Sequence, residues 1–163
     1  MLNNIILASK SKVRKDILEK NNIICKVEPS NVDEDAVKES MLNEKATPEL
    51  ISKNLAELKA NKISLKNHEQ LVLGADSVID LNGELISKPA DRNEAILTLK
   101  KLNGKEHYLI SSVCLSKNGS MIWNYTDKAK LKMKNFSEKE LREYLSKISD
   151  EALYAYNVYQ IEG

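Results

Sequence analysis

The chain has 163 residues, 42% of them hydrophobic and 30% charged, and its 25 basic and 24 acidic side chains leave a formal net charge of +1. That size and balance suit a single globular domain with room for two lobes, and they exclude a charge-driven binder of nucleic acid or anionic membrane. Cys25 and Cys114 stand far apart in apolar surroundings, which excludes a disulfide framework or a zinc knuckle and points to reduced thiols. The opening Met1-Leu-Asn-Asn-Ile-Ile-Leu7 carries no basic leader and no apolar run reaches membrane-spanning length, so the expectation is a cytoplasmic protein with no membrane partner.

Taken in chain order, Ile5 to Ala8 read as a buried strand that runs straight into a helix over Ser9 to Asn21, with Val13, Ile17 and Leu18 on one face. Ile23 to Val27 form a second short strand closed by Pro29, and Asn31 to Asp35 an acidic polar loop. A long helix extends from Thr47 to about Lys66. Thr47 is its N-cap, Pro48 its first residue, and Leu50, Ile51, Leu55, Leu58 and Ile63 supply most of its buried stripe.

The apolar run Leu71 to Leu73 then predicts a strand covered on both faces, with Gly74 for a turn or close approach and Asp76 at the strand's carboxyl end. Asn82-Gly83 signals a hairpin into the strand before Lys88. Asp91 with Glu94 has the form of a capping box for a helix to Leu102, which Gly104 ends. Tyr108 to Leu115 and Met121 to Met133 are long strands joined at Asn118-Gly119, and Ser137 with Glu140 caps a last helix through about Lys147. Alternating helices and strands with at least two hairpins predict an α/β fold: a mixed, twisted sheet flanked by helices.

Three stretches carry chemistry. Asp76, followed by Lys88 held extended before Pro89, reads either as an acid–base site for an anionic substrate or as a turn cap with a solvated lysine. Ser9-Lys-Ser-Lys-Val-Arg-Lys15 crowds cations at a helix start. An anion held by Ser9, Ser11, Arg14 and the free amides would make that sensible; plain N-capping by Ser9 or Ser11 is the other reading. The loop with Asp33, Glu34 and Asp35 offers hard oxygen ligands for Mg2+ or Mn2+, or is simply a solvated surface.

In their order, these motifs resemble the Maf family of septum-formation-associated nucleotide pyrophosphatases. Leu7-Ala-Ser-Lys-Ser-Lys-Val-Arg14, Val32-Asp-Glu34, Leu55-Ala-Glu-Leu-Lys-Ala60, Gly74-Ala-Asp-Ser77, Lys88-Pro-Ala-Asp91, Leu102-Asn-Gly-Lys-Glu-His107 and Tyr159-Gln-Ile-Glu-Gly163 each match a family motif, across the whole chain. The resemblance implies a two-lobed fold with a central cleft, of the kind shared with inosine triphosphatases. It implies hydrolysis of nucleoside triphosphates between the α and β phosphates, giving a monophosphate and pyrophosphate with the help of a divalent cation. Asp76 would then be the general base, Lys59 and Lys88 would act beside it on the phosphate chain, and Ser9, Ser11 and Arg14 would bind phosphate. Glu34 with Asp33 would contact metal, and Ser77 and Glu162 would select the base.

The chain departs from the family pattern at three places. Val13 replaces the first of two arginines, Asn157 stands where the family commonly has glycine, and the chain stops at Gly163, before a further strand and helix. As a truncated member it is expected to show reduced stability, weak activity, or folding that depends on oligomerisation, such as a homodimer. Glu162 in place of glutamine weakens a pyrimidine assignment, because an ionised carboxylate cannot donate, and leaves a purine or methylated purine open. The alternative to the enzyme is a catalytically impaired nucleotide-binding regulator of cell division.

Overall fold

A computed structural model describes residues 4–159. Two compact units emerge, Met1–Ser77 with Ile110–Lys128, and Val78–Leu109 with Ala129–Gly163. The predicted mixed sheet is present: β1 (Ile5–Leu7) pairs in parallel with β2 (Cys25–Val27) and β3 (Val72–Leu81), and β3 pairs antiparallel with β4 (Glu84–Ile86). With β5 (Glu106–Lys117) and β6 (Ser120–Lys132) the strand order is β2-β1-β3-β5-β6. The Asn82-Gly83 and Asn118-Gly119 turns both take positive φ at the two central residues, as tight hairpin turns require.

In the first unit, α1 (Lys12–Lys20) leaves β1, and the predicted apolar stripe is not buried: Ile17 is 47% exposed and no residue of α1 is buried. The expected acidic loop, Asn31 to Asp35, runs into a helix at its last two residues. Asp33 is the N-cap of α2 (Glu34–Asn43), its Oδ1 accepting the Ala36 amide, and Glu34 and Asp35 lie in the first turn, where the helix dipole favours acids. α3 (Pro48–Ser64) starts at Thr47 as predicted. Its buried face carries Ile51, Ser52, Leu55, Ala56, Lys59, Ala60 and Ile63 at spacings of three and four, whereas Leu50 and Leu58 fall off that face and stay exposed. Ala56, Ala60 and Ile63 pack with Ile6, Ala8, Val72 and Cys114 as the core.

In the second unit, α4 (Arg92–Leu102), α5 (Glu138–Lys147) and a short α6 (Asp150–Tyr156), which the periodicity of so brief a segment did not reveal, accompany β4. The core joins Ile79, Ile86, Ile96, Leu99, Leu102, Leu141, Leu145 and Leu153. Ser137 and Glu140 form the full capping box. At α4 only half of one forms: Asp91 accepts the Glu94 amide, while Glu94 reaches back to Ala90 instead of Asp91. Asn157 adopts φ +71° and ψ −156°, a positive-φ backbone that favours glycine.

His107, 4% exposed, bonds Tyr159 Oη through Nε2 at 2.8 Å, and burial lowers its pKa. An imidazole so depressed contributes stability that is present above the unfolded value of about 6.5 and is lost as pH falls through the folded value. We therefore expect the melting temperature to drop on acidification from pH 7.5 to 5, and to drop less in the His107→Gln protein, measured by calorimetry across that range.

Candidate functional site

At the β1–α1 junction, Ser11 is the N-cap of α1, its Oγ accepting the Arg14 amide. Ser9, 8% exposed, accepts at Oγ from the Ser11 amide (3.1 Å) and from Arg14 Nη1 (3.2 Å). Arg14 Nη1 also donates to the Ala75 carbonyl at 2.9 Å, so the helix start is tied directly to β3. Burial lowers the Arg14 pKa, against the opposing pull of Asp76 and Glu34.

Asp76 is neither a turn cap nor at the end of its strand. It lies in the middle of β3, because β3 continues past it to pair with β4 from Ile79 to Leu81. What ends near it is the ladder to β1, whose last partner is Leu73. Just beyond, α3 presses onto the strand at Gly74, where an added Cβ would sit 2.2 Å from the Ala56 carbonyl oxygen. Glycine is needed there for the close approach.

That approach brings Lys59, on the buried face of α3, to Asp76. Its Nζ lies 3.0 Å from Asp76 Oδ1, 2.6 Å from Glu34 Oε1 and 3.3 Å from the Ala75 carbonyl. The Lys59 and Asp76 side chains are each 6% exposed and Glu34 is 39% exposed, so one ammonium bridges a buried and an accessible carboxylate. Burial raises the Asp76 pKa; Lys59 pulls it back, and Glu34 adds to the rise. Asp76 Oδ2 is buried with no hydrogen-bond partner among the described residues. A carboxylate oxygen left so is one that a water or a cation would satisfy.

The first unit thus brings together Ser9, Arg14, Glu34, Lys59 and Asp76. Asp33 spends one oxygen capping α2. Ser77, next to Asp76 and exposed, pairs with Ser111 on β5 at 3.1 Å. Lys88 belongs to the second unit, exposed after β4 and before the buried Pro89. Glu162 lies outside the described residues. Sequence reading passed over Ser52 and Ser111. Ser52 had one signal, its position seven residues before Lys59 on the same helix face; Ser111, one of two adjacent serines in a strand, had none.

For a divalent cation, hard oxygens are at hand in Glu34 and the unpartnered Oδ2 of Asp76. No group of three or more His, Cys, Asp or Glu that could hold a metal occurs among the described residues. Such a donor set fits Mg2+ or Mn2+ when substrate phosphates complete the coordination. No helix among the described residues is long and apolar enough to cross a membrane.

Fold and site together define a mixed-sheet α/β protein with a charge-compensated carboxylate centre beside a serine- and arginine-lined helix start. The chain belongs to the Maf-like protein family, which it matches over residues 4–163. It is 72% identical to a nucleoside triphosphate pyrophosphatase of Pelagibacter ubique, over all of this chain and 84% of that one. It is 40% identical to a nucleoside triphosphate pyrophosphatase of Paramagnetospirillum magneticum over 97% of this chain and 81% of the relative. A 7-methyl-GTP pyrophosphatase of Brucella abortus is 34% identical over 98% of this chain and 80% of its own length.

Proposed function

We propose that the protein hydrolyses nucleoside triphosphates at the α–β phosphoanhydride, releasing pyrophosphate and a nucleoside monophosphate. The observation that carries this reading is the buried Asp76 carboxylate, held through one oxygen by Lys59 while the other lacks a partner. Names borne by relatives at 72% and 40% identity support the same chemistry.

In the reaction, Asp76 Oδ2 takes a proton from the attacking water as the water's oxygen bonds the α phosphorus and the bond to the bridging oxygen breaks. Burial keeps this base hard to ionise, and Lys59 restores enough of its charge for it to act. Lys59 has a second use once a triphosphate arrives: its ammonium turns from Glu34 to the phosphate chain. Arg14, whose guanidinium carries five N–H donors, and Ser9 hold phosphate oxygens and stabilise charge on the departing pyrophosphate. The two cations Arg14 and Lys59 are already balanced by Asp76 and Glu34, so a triphosphate brings about four uncompensated negative charges. A divalent cation held by Glu34, with Asp33 beside it, would offset part of that charge. Ser77 and Glu162 are the base-selecting residues of this reading, with a purine or methylated purine as one class left open; a relative 34% identical bears the name 7-methyl-GTP pyrophosphatase. The enzyme works in the cytosol, where Cys25 and Cys114 stay as free thiols.

The test is pyrophosphate release from a panel of canonical and methylated triphosphates with Mg2+ or Mn2+. Binding of the panel without release would favour the regulatory reading. The acid limb of kcat/KM supplies a pH check. Since burial raises the Asp76 pKa and activity needs the ionised form, the rate should fall as pH drops through a value above the ordinary aspartate value of about 3.9. A limb at or below that value would count against a raised Asp76 pKa in the free enzyme.

A further inference from the structure

Building on the reading of Asp76 as the base, we infer that Ser52 is a positioning residue that fixes the main chain of Asp76 while Lys59 fixes its side chain. Ser52 lies on α3, is 0% exposed, and donates from Oγ to the Asp76 carbonyl at 3.3 Å. It belongs to none of the motifs that match the family; the nearest begins at Leu55.

The hydroxyl ties the helix to the strand at the base itself. The β1–β3 ladder stops at Leu73, so the carbonyl of Ala75, which faces the same edge as those of Leu71 and Leu73, lies beyond the reach of β1, whereas that of Asp76 faces the opposite edge, toward β5. At Ala75 side chains take over from the missing strand, Arg14 and Lys59 donating to its carbonyl, while Ser52 donates to that of Asp76 from α3. Buried carbonyls must be paired somewhere. Ser52 and Lys59 stand seven residues, or two turns, apart on one helix face. Between them Ala56 lies against Gly74, and its carbonyl oxygen leaves no room for a Cβ there. The helix is thus pressed on the strand at one point and hydrogen-bonded to it on either side of that point.

Holding the Asp76 carbonyl fixes the peptide plane that follows it, and with it the direction in which the carboxylate leaves the backbone. Without the hydroxyl, the Asp76 carbonyl loses its tie to α3, and a shift of the strand there would carry the carboxylate away from Lys59. A displacement of about 1 Å at a reacting group costs up to about a hundredfold in rate.

The experiment compares Ser52→Ala and Ser52→Thr with the parent in steady-state pyrophosphate release and in the carboxyl 13C resonance of Asp76. The expected result for Ser52→Ala is kcat lowered about tenfold with KM within about twofold, and a displaced Asp76 resonance. Ser52→Thr, which keeps the hydroxyl, should restore both. A parent-like kcat and an unmoved resonance in the Ser52→Ala protein would overturn the inference, as would a loss of melting temperature with kcat unchanged. Should the parent release no pyrophosphate from any triphosphate, the proposed activity falls, and the resonance still decides the role of Ser52.

Discussion

The Asp76→Asn protein should release pyrophosphate about 10²–10⁴ times more slowly than the parent, the range over which positioned acid–base groups contribute. The amide keeps the shape of the side chain and its contact to Lys59, but it takes no proton from water. Stability should barely change, and the linkage argument says why. Burial raises the Asp76 pKa in the folded chain, so the stability this group contributes is full below its unfolded value and is lost as pH rises through the folded one. At neutral pH the ionised carboxylate is therefore a net cost, and a neutral amide removes it. Lys59 loses the charge of one partner in exchange but keeps Glu34 at 2.6 Å. The two effects oppose each other, and a melting temperature within about 4 °C of the parent is expected. A near-parental rate with the fold intact would exclude Asp76 as the base; steady-state kinetics and a thermal melt on one preparation decide it.

Gly74→Ala is expected to damage the fold itself. The new Cβ would meet the Ala56 carbonyl oxygen at 2.2 Å, the Ala60 amide nitrogen at 2.8 Å and the Ala60 Cβ at 2.9 Å. Two of these three neighbours are helix backbone, which cannot swing aside as a flexible side chain would. Overpacking of this kind costs about 1–3 kcal/mol and occasionally more, and the upper end applies here. At about 2–4 °C per kcal/mol that lowers the melting temperature by about 6–12 °C. Activity should fall further than stability does, because lifting α3 from β3 carries Ser52 and Lys59 away from Asp76. Gly83→Ala is the control. Gly83, unlike Gly74, has a positive φ, at +88°, but nothing lies within 4 Å of its added Cβ, so it bears backbone strain without the clash and should leave catalysis at the parental level. Equal losses of activity in the two proteins would refute the close-approach argument.

Much of the fold was legible along the chain. Strands with buried runs, the Asn-Gly hairpins, and the Thr47 and Ser137 caps each depend on residues within a few positions of one another, and each stands where local chemistry placed it. α2 was missed because Asn31 to Asp35, read as loop composition, are the approach to a helix and its acidic first turn. α6 is too short for periodicity to register. The α1 stripe was overread: a helix can display an apolar face that its neighbours do not cover, and Ile17 stays 47% exposed.

Residue types and their order along the chain were enough to mark Asp76, Arg14, Ser9 and Glu34 as candidates and to indicate an anionic substrate, since a base, a cation and hard oxygen ligands are each recognisable one at a time; Lys59 entered only through the family resemblance of Leu55 to Ala60. Their partnership was not recognisable in this way. Lys59 meets Asp76 from 17 residues away and Glu34 from 25, and Arg14 reaches Ala75 across 61. Such contacts follow from which helix lies on which strand and how closely, and a single glycine against a helix backbone sets that distance. Folding also settled which oxygen of Asp76 is held and which is left over, because burial and the end of the β1–β3 ladder are properties of packed neighbours, to which no local pattern of residues is sensitive.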